Sequence, residues 1–443
     1  MKEETKEQAG VRESATQVSE IRSRWLWVEP SVWTDRMLAA LENGVKGGVW
    51  YSLMDKVESI SNLRSSWVRV KKNRGAAGVD RVTIDMFSER LDENLTKLQA
   101  ALQQGEYQPA DVRRAWIPKA DSTEKRPLGI PTVRDRIVQT ALRNVLEPIF
   151  ERGFSEHSYG FRPGRGCWDA LRRVDDLLKQ GYCFVVDADL RKYFDTIPHK
   201  PLMEQVQRKV ADGRVLRLIE SFLKQGVMDG MESWNPIKGS PQGAVISPLL
   251  SNIYLDPLDR YMAGRGFEMV RYADDFVILC RKREEAEQAL ECVRSWVEEA
   301  GLALHPEKTR IVKAPEEEFQ FLGFRFVRNH RIPRDSSIKK LRENLREKTR
   351  LTNGNSFRWM VQSVNRTLVG WFGYFRFSSV GNVFEREDGF LRKRFRRILQ
   401  RRCGGKGTGQ GFAHQVWPNS YFRDKGLFSL MDAYVEYRRS PTG

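Results

Sequence analysis

Apolar residues along this chain recur at two periods, and their distribution divides it into stretches of different character. Residues 1–24 are polar and charged without helical spacing, which predicts a flexible leader. Over 25–74, Trp33, Met37, Leu38 and Leu41, then Leu53, Val57 and Ile60, return at helical intervals around a glycine-containing break at 44–48, which predicts a helical N-terminal extension. From 75 to 328, helical stretches at 87–102, 133–150, 168–180, 215–226 and 284–300 alternate with short strand-like runs at 114–118, 184–190, 276–280 and 319–326. Beyond 328 the strand signal fades, and helices at 337–351, 356–372 and 388–402 lead into a Gly-rich stretch at 404–411 and a Trp/Phe-rich tail. The predicted class is α+β, followed by a mostly helical domain over 329–443.

Composition narrows the range of partners. The chain has 443 residues, too many for one ordinary core. Its 40% hydrophobic content, with 12 Trp, 23 Phe and 12 Tyr, is enough to build globular units. Lys and Arg number 75 against 58 acidic residues, a formal charge of +17 that points to a polyanionic partner. No run approaches the roughly 20 apolar residues that span a bilayer, which favours nucleic acid over a membrane. The five cysteines, Cys167, Cys183, Cys280, Cys292 and Cys403, are scattered without a C-x-x-C pair, so neither a disulfide framework nor a structural zinc site is indicated. Glu3, Glu4, Glu7 and Glu13, with no apolar core near them, argue against a targeting signal, and the expected compartment is a reducing cytosol.

Two acidic clusters carry candidate chemistry. Asp274 and Asp275 lie between strand-like flanks in Arg271-Tyr272-Ala273-Asp274-Asp275-Phe276, the pattern of a hairpin with two carboxylates at its tip. Aspartate is also an ordinary turn residue, so the pair alone decides nothing. In Phe184-Val185-Val186-Asp187-Ala188-Asp189-Leu190, the period of two puts Asp187 and Asp189 on one face of an apolar strand. A charge there needs a partner or a metal; Arg191 and Lys192 offer surface partners. If strand end and turn lie side by side, three carboxylates converge. An oxygen-only cluster of that kind suits Mg²⁺ rather than zinc, and two such ions suit phosphoryl transfer. Periodicity does not separate Asp187 from Asp189.

These blocks, taken with others in the same order, resemble group II intron-encoded reverse transcriptase/maturases. Tyr272-Ala273-Asp274-Asp275 resembles that family's catalytic box, and Asp189-Leu190-Arg191-Lys192-Tyr193-Phe194-Asp195 its first carboxylate motif. Ile117-Pro118-Lys119, Arg126-Pro127-Leu128-Gly129-Ile130-Pro131, Gly160-Phe161-Arg162-Pro163-Gly164, Ser240-Pro241-Gln242-Gly243, His305-Pro306-Glu307-Lys308-Thr309 and Phe321-Leu322-Gly323-Phe324 follow suit. Gly370-Trp371-Phe372-Gly373-Tyr374-Phe375 and Trp417-Pro418-Asn419 extend the likeness into the helical region.

The resemblance implies a right-hand polymerase, with fingers and a ferredoxin-like palm over 75–328, followed by a thumb/maturase region. It implies Asp189, Asp274 and Asp275 as ligands of two Mg²⁺ ions, with Mn²⁺ able to substitute. Phe194 would crowd a 2′-hydroxyl and so select dNTPs. Lys119 and Arg126 would hold the triphosphate, Gln242 would lie beside the nascent base pair, and Lys308 would stand where pyrophosphate departs. Implied partners are an RNA template with its primer, dNTPs, group II intron RNA and target DNA, in a bacterial cytosol near the nucleoid.

A basic helix fits that reading. In 390–402, Leu391, Phe395, Ile398 and Arg402 share a helical face, which leaves Arg392, Arg394, Arg396 and Arg397 among the expected RNA contacts. Lys339 to Arg350 is weaker evidence, because Glu343 and Glu347 can pair its charges. A splicing cofactor without polymerase activity would be expected to lose a carboxylate or the Ser-Pro-Gln-Gly box, and both are intact. A polymerase adopted for host repair or defence is compatible with the same residues. No Cys/His-rich endonuclease module follows Tyr437, so second-strand DNA cleavage is not expected.

Overall fold

The computed structural model describes residues 20–118, 125–229, 232–234, 236–328 and 330–440. They form two compact units, one drawn from Met1–Leu177 and Ala188–Arg310, the other from Leu178–Asp187 and Ile311–Gly443. The strands are β1 (Val112–Pro118), β2 (Lys125–Ile130), β3 (Phe184–Asp189), β4 (Val227–Asp229), β5 (Glu232–Trp234), β6 (Glu268–Tyr272), β7 (Asp275–Cys280), β8 (Arg310–Lys313), β9 (Phe319–Phe321), β10 (Phe324–Val327) and β11 (His330–Pro333). They make three sheets, ordered β2-β1-β4-β5, β6-β7-β3-β8 and β11-β10-β9. The first is mixed, because β1 runs antiparallel to β2 and parallel to β4.

The helix Val133–Glu151 organises the first unit. Thr132 starts it by accepting the Asp135 N–H, and Ile137, Val138, Ala141, Leu142 and Val145 along it are wholly inaccessible. Polar groups on the same helix are matched. Asn144 Nδ2 donates to Asn62 Oδ1 at 2.8 Å, Asn62 Nδ2 donates to the Ala141 carbonyl at 3.1 Å, and the Trp33 indole donates to the Asn144 carbonyl at 2.9 Å. Residues of the N-terminal region are thereby fastened to the core by buried hydrogen bonds, which cannot be broken cheaply once water is excluded.

In the second unit, the helices Asp335–Lys348, Phe357–Phe375, Asn382–Arg402 and Leu430–Arg439 enclose Leu345, Val364, Leu368, Phe384 and Phe395. The buried Glu387 carboxylate there accepts two bonds from Arg342, at 2.7 and 2.8 Å. Arg342 is thus paired outside its own helix rather than with Glu343 or Glu347. Two expectations change. The run 319–326 is two strands, since Leu322 and Gly323, with φ of 48° and 76°, turn the chain between them. The stretch 87–102 is interrupted at Arg90, whose φ of −126° and ψ of 46° are not helical.

Asp212 closes the first unit. Its Oδ2 accepts the Leu53 and Met54 N–H groups at 2.8 and 2.9 Å, and its Oδ1 those of Arg214 and Val215 at 2.9 and 3.2 Å. One side chain thus caps the helices Met54–Val57 and Gly213–Leu223 together. Burial works against its charge, yet the four N–H groups hold the carboxyl below its ordinary value of 3.8. Asp212→Ala is expected to cost about 2–4 kcal/mol, read by denaturant unfolding. Because the folded-state value is depressed, the charge-dependent part of this stabilisation is present above pH 3.8 and is lost as pH falls through the lowered value. Acid titration of the variant should show a correspondingly weaker dependence.

Candidate active site

Strands β6 and β7 pair antiparallel from Glu268↔Leu279 to Tyr272↔Asp275, leaving Ala273 and Asp274 as a two-residue turn. Ala273 has φ of 59°, a left-handed conformation that costs an alanine about 1 kcal/mol, and the surroundings hold it there. Arg271, fully buried, donates to Asp259 Oδ1 and Oδ2 at 2.7 and 2.5 Å, to Asn252 Oδ1 at 3.0 Å and to the Ala273 carbonyl at 2.9 Å. Burial opposes both charges of the pair, and the Asp259 carboxylate more than offsets it for the guanidinium, which is held above its ordinary value. Asn252 Nδ2 donates in turn to the Gly160 carbonyl at 2.8 Å. A Cβ on Gly160 would lie 2.3 Å from the Ala273 nitrogen, so only glycine fits there. Arg162 braces this segment from the other side by donating to Glu151 and to the Ser155 and Ser158 carbonyls.

The turn presents Asp274 half-buried at its tip. Loss of solvent raises its carboxyl above the ordinary range, Asp189 raises it further, and Arg126 and Arg271 act in the opposite sense. Asp189 is the last residue of β3; its carbonyl accepts the His305 N–H at 2.7 Å and its Oδ2 accepts Lys308 Nζ at 2.6 Å. Asp189, Asp274, Lys308 and Arg126 are therefore brought into one electrostatic neighbourhood, with Asp275 opening β7 beside it. Among the described residues, however, no three His, Cys, Asp or Glu side chains are gathered closely enough to enclose a metal ion. The convergence expected from sequence is incomplete, and the ammonium of Lys308 stands on Asp189.

Phe194 and Gln242 line one cavity of 400 Å³, together with Arg114, Gly129, Asp195 and Trp234. Backbone bonds hold its walls: the Ser240 N–H donates to the Phe194 carbonyl at 2.7 Å, and the Gly129 N–H to the Gln242 carbonyl at 2.6 Å. Gly243 has φ of 104°, and a Cβ on it would meet the Gly129 carbonyl oxygen at 2.5 Å, which explains the glycine. Lys119 lies outside the described residues.

The basic helix needs correction. Leu391, Phe395 and Ile398 are buried as expected, but so is Arg396, which donates to the Trp417 carbonyl at 2.8 Å and to Asn419 Oδ1 at 2.7 Å. Arg394 bonds Thr349 Oγ1 and its carbonyl, at 2.6 and 2.9 Å, and Arg392 lies 3.9 Å from Asp388. Arg402, expected on the core side, is exposed. The positive side chains left outward on this helix include Lys393, Arg397 and Arg401. Helical periodicity alone could not tell an arginine spent on neighbouring carbonyls from one facing solvent.

Arg271, Asp259 and Asn252 were not singled out from sequence. The available signal was Arg271 itself, a charge inside an apolar strand that demands a partner, as the aspartates of β3 do.

A strand that ends in an aspartate, next in its sheet to a hairpin carrying two more, is an arrangement suited to a polymerase palm. Residues 117–326 match the family model described as reverse transcriptase (RNA-dependent DNA polymerase), and 338–417 match the group II intron maturase-specific domain. Protein YkfC of Escherichia coli K12 is 36% identical over 296 residues, covering 58% of this chain and 77% of that protein. The group II intron-encoded protein LtrA of Lactococcus lactis is 40% identical over 192 residues, covering 43% of this chain and 31% of LtrA. A chain of the solved partial Cas6-RT-Cas1–Cas2 complex is 25% identical, over 56% of this chain and 41% of its own, with a TM-score of 0.37, too slight a likeness to bear on function. The chain belongs to the group II intron reverse transcriptase/maturase family. It is thus an RNA-directed DNA polymerase by family, of a kind that uses divalent metal ions and binds RNA. It spans under a third of the length of LtrA. No helix among the described residues is long and apolar enough to cross a membrane.

Asp259→Asn leaves Arg271 as an uncompensated buried cation and is expected to destabilise the protein by about 3–5 kcal/mol, read by denaturant unfolding. Arg271→Lys keeps a charge but loses the bidentate fork. Primer extension by that variant should show a lowered kcat with little change in KM for dNTP, because the displaced group is the turn and not a nucleotide contact.

Proposed function

We propose that Asp189, Asp274 and Asp275 hold two Mg²⁺ ions, with Mn²⁺ able to substitute, and that the chain extends a DNA primer on an RNA template. The observation that carries this reading is geometric: the β6–β7 turn carries Asp274 and Asp275, and β3, next to β7 in the same sheet, ends in Asp189. Asp274, half-buried at the turn and raised by burial and by the nearby Asp189, favours an arriving cation. When bound, the ions supply a lowered pKa at the primer 3′-hydroxyl and charge neutralisation at the leaving pyrophosphate. Lys308, paired with Asp189, is the positive charge a metal would replace, and is then free to meet the departing pyrophosphate. Arg126, exposed on β2 and electrostatically coupled to Asp274, suits a triphosphate, as does Lys119 by its place in the family motif. Phe194 and Gln242, sharing a cavity, suit the sugar and base of the incoming dNTP.

The second unit, in this reading, binds group II intron RNA to assist splicing and, with target DNA, mobility. The match to the maturase-specific domain and the outward Lys393, Arg397 and Arg401 support it. The setting proposed is a bacterial cytosol near the nucleoid.

Primer extension on an RNA template with Mg²⁺ and dNTPs tests the polymerase. Asp274→Asn is expected to abolish extension and, because ionising a carboxyl with a raised folded-state value costs stability at neutral pH, to raise the melting temperature. Full activity in that variant would overturn the assignment. For RNA, Lys393→Gln, Arg397→Gln and Arg401→Gln together should weaken binding and flatten the slope of log K against log salt by about 2–3, read by filter binding across a salt series. Arg396→Gln should instead lower the melting temperature.

A further inference from the structure

We infer that Trp116, Arg114 and Trp234 form a stacking platform for the unpaired stretch of the template strand, an inference that rests on the polymerase reading above. The alternation of β1 puts Val112, Arg114 and Trp116 on one face. Val112 pairs with Val227, and Val227 with Trp234, so the second indole shares that face two strands away. The three side chains form a ladder: the Arg114 guanidinium lies 5.6 Å from the Trp116 ring centre and 5.2 Å from that of Trp234.

Both indoles are left half open, Trp116 at 50% and Trp234 at 43% exposure. Trp116 is nevertheless fixed, its Nε1 donating to Asp229 Oδ2 at 3.1 Å. A large apolar ring tethered by its edge with a face in solvent is arranged for contact, since burying it would otherwise be favourable. Arg114 Nε is shielded from solvent and has no acceptor, an unmet donor on the same face.

The surface also has the right place. On this face Arg114 and Lys125, with Lys238 lining the adjoining cavity, stand against Asp195, Asp229 and Glu232, so its charges are mixed and its hold on a strand rests on stacking. Arg114 and Trp234 line the same cavity as Phe194 and Gln242, so the platform continues from the proposed position of the nascent base pair. A guanidinium between two indoles offers flat faces to bases and a cation to the phosphates between them, with no preference among the four bases. A strand about to be copied requires that indifference. A protein-docking patch would have no need of an interleaved guanidinium with an unmet Nε donor.

The test uses the full chain and two RNA-template/DNA-primer duplexes, one blunt and one with about six unpaired template nucleotides, with binding followed by fluorescence anisotropy. Trp116→Ala with Trp234→Ala should weaken binding of the overhanging duplex about tenfold or more and leave the blunt duplex nearly unchanged. Trp116→Phe with Trp234→Phe should recover most of the loss, because phenylalanine still stacks. Equal weakening on both duplexes, or undiminished affinity for the overhang, overturns the platform; the second result is also what a protein-binding surface would give. Should the double alanine variant melt early, Trp234→Ala alone, on a short edge strand, applies the same comparison. Extension of the overhanging primer by the wild type separates the two claims: its absence defeats the polymerase reading, and its presence with unchanged overhang binding in the variants defeats only the platform.

Discussion

The ion pair between Arg271 and Asp259 is sealed from solvent, and the turn that carries Asp274 hangs from it through the Ala273 carbonyl. A buried pair of this sort adds little net stability over apolar residues of the same volume, since desolvation consumes most of the attraction. Its worth is directional. The guanidinium fork orients three acceptors at once, and through Asn252 the same group reaches Gly160, whose missing side chain lets a second segment close against Tyr272 and Ala273. An alanine held left-handed, a glycine with no room for a methyl and a buried arginine are three aspects of one constraint on where two carboxylates point.

Around that rigid turn the electrostatics are deliberately unfavourable. Asp274 is deprived of solvent and set near Asp189, while Asp189 carries Lys308 as counter-charge. Strain of this kind is tolerable because other parts of the unit are strongly tied, notably the four N–H groups on Asp212 and the amide network around Asn144. Stability and the proposed catalysis thus pull on the same residues in opposite directions.

The loop 239–243 links the short helix Tyr193–Thr196 to β2 in the proposed nucleotide site, bonding Phe194 through Ser240 and Gly129 through Gln242. Movement of β1 and β2 would therefore reach Phe194 through the backbone. In the second unit an economy of arginines prevails: Arg342, Arg394 and Arg396 satisfy Glu387, the carbonyl of Thr349 and the carbonyl of Trp417, and only part of the basic helix remains for a ligand.

Much of this was legible in the chain itself. Apolar periodicity located most of the helices and strands, because burial of one face is a local pattern of period two or 3.6. The hairpin at Asp274 and Asp275 was readable for the same reason, whereas the close approaches that require glycine at Gly160 and Gly243 emerged only from the packing. Sequence could not show that Arg394 and Arg396 are bonded inward, that Lys308 stands on Asp189, or that Trp234 shares a face with Trp116. Each of these joins residues far apart in the chain, and pairing at such range is set by how the elements pack. What the sequence determined by itself is the set of charged and aromatic groups and the local elements that carry them; which charges are spent on holding the fold, and which are left to meet a ligand, only the tertiary structure decided, because desolvation and hydrogen-bond partnership are properties of the packed neighbourhood rather than of the residue.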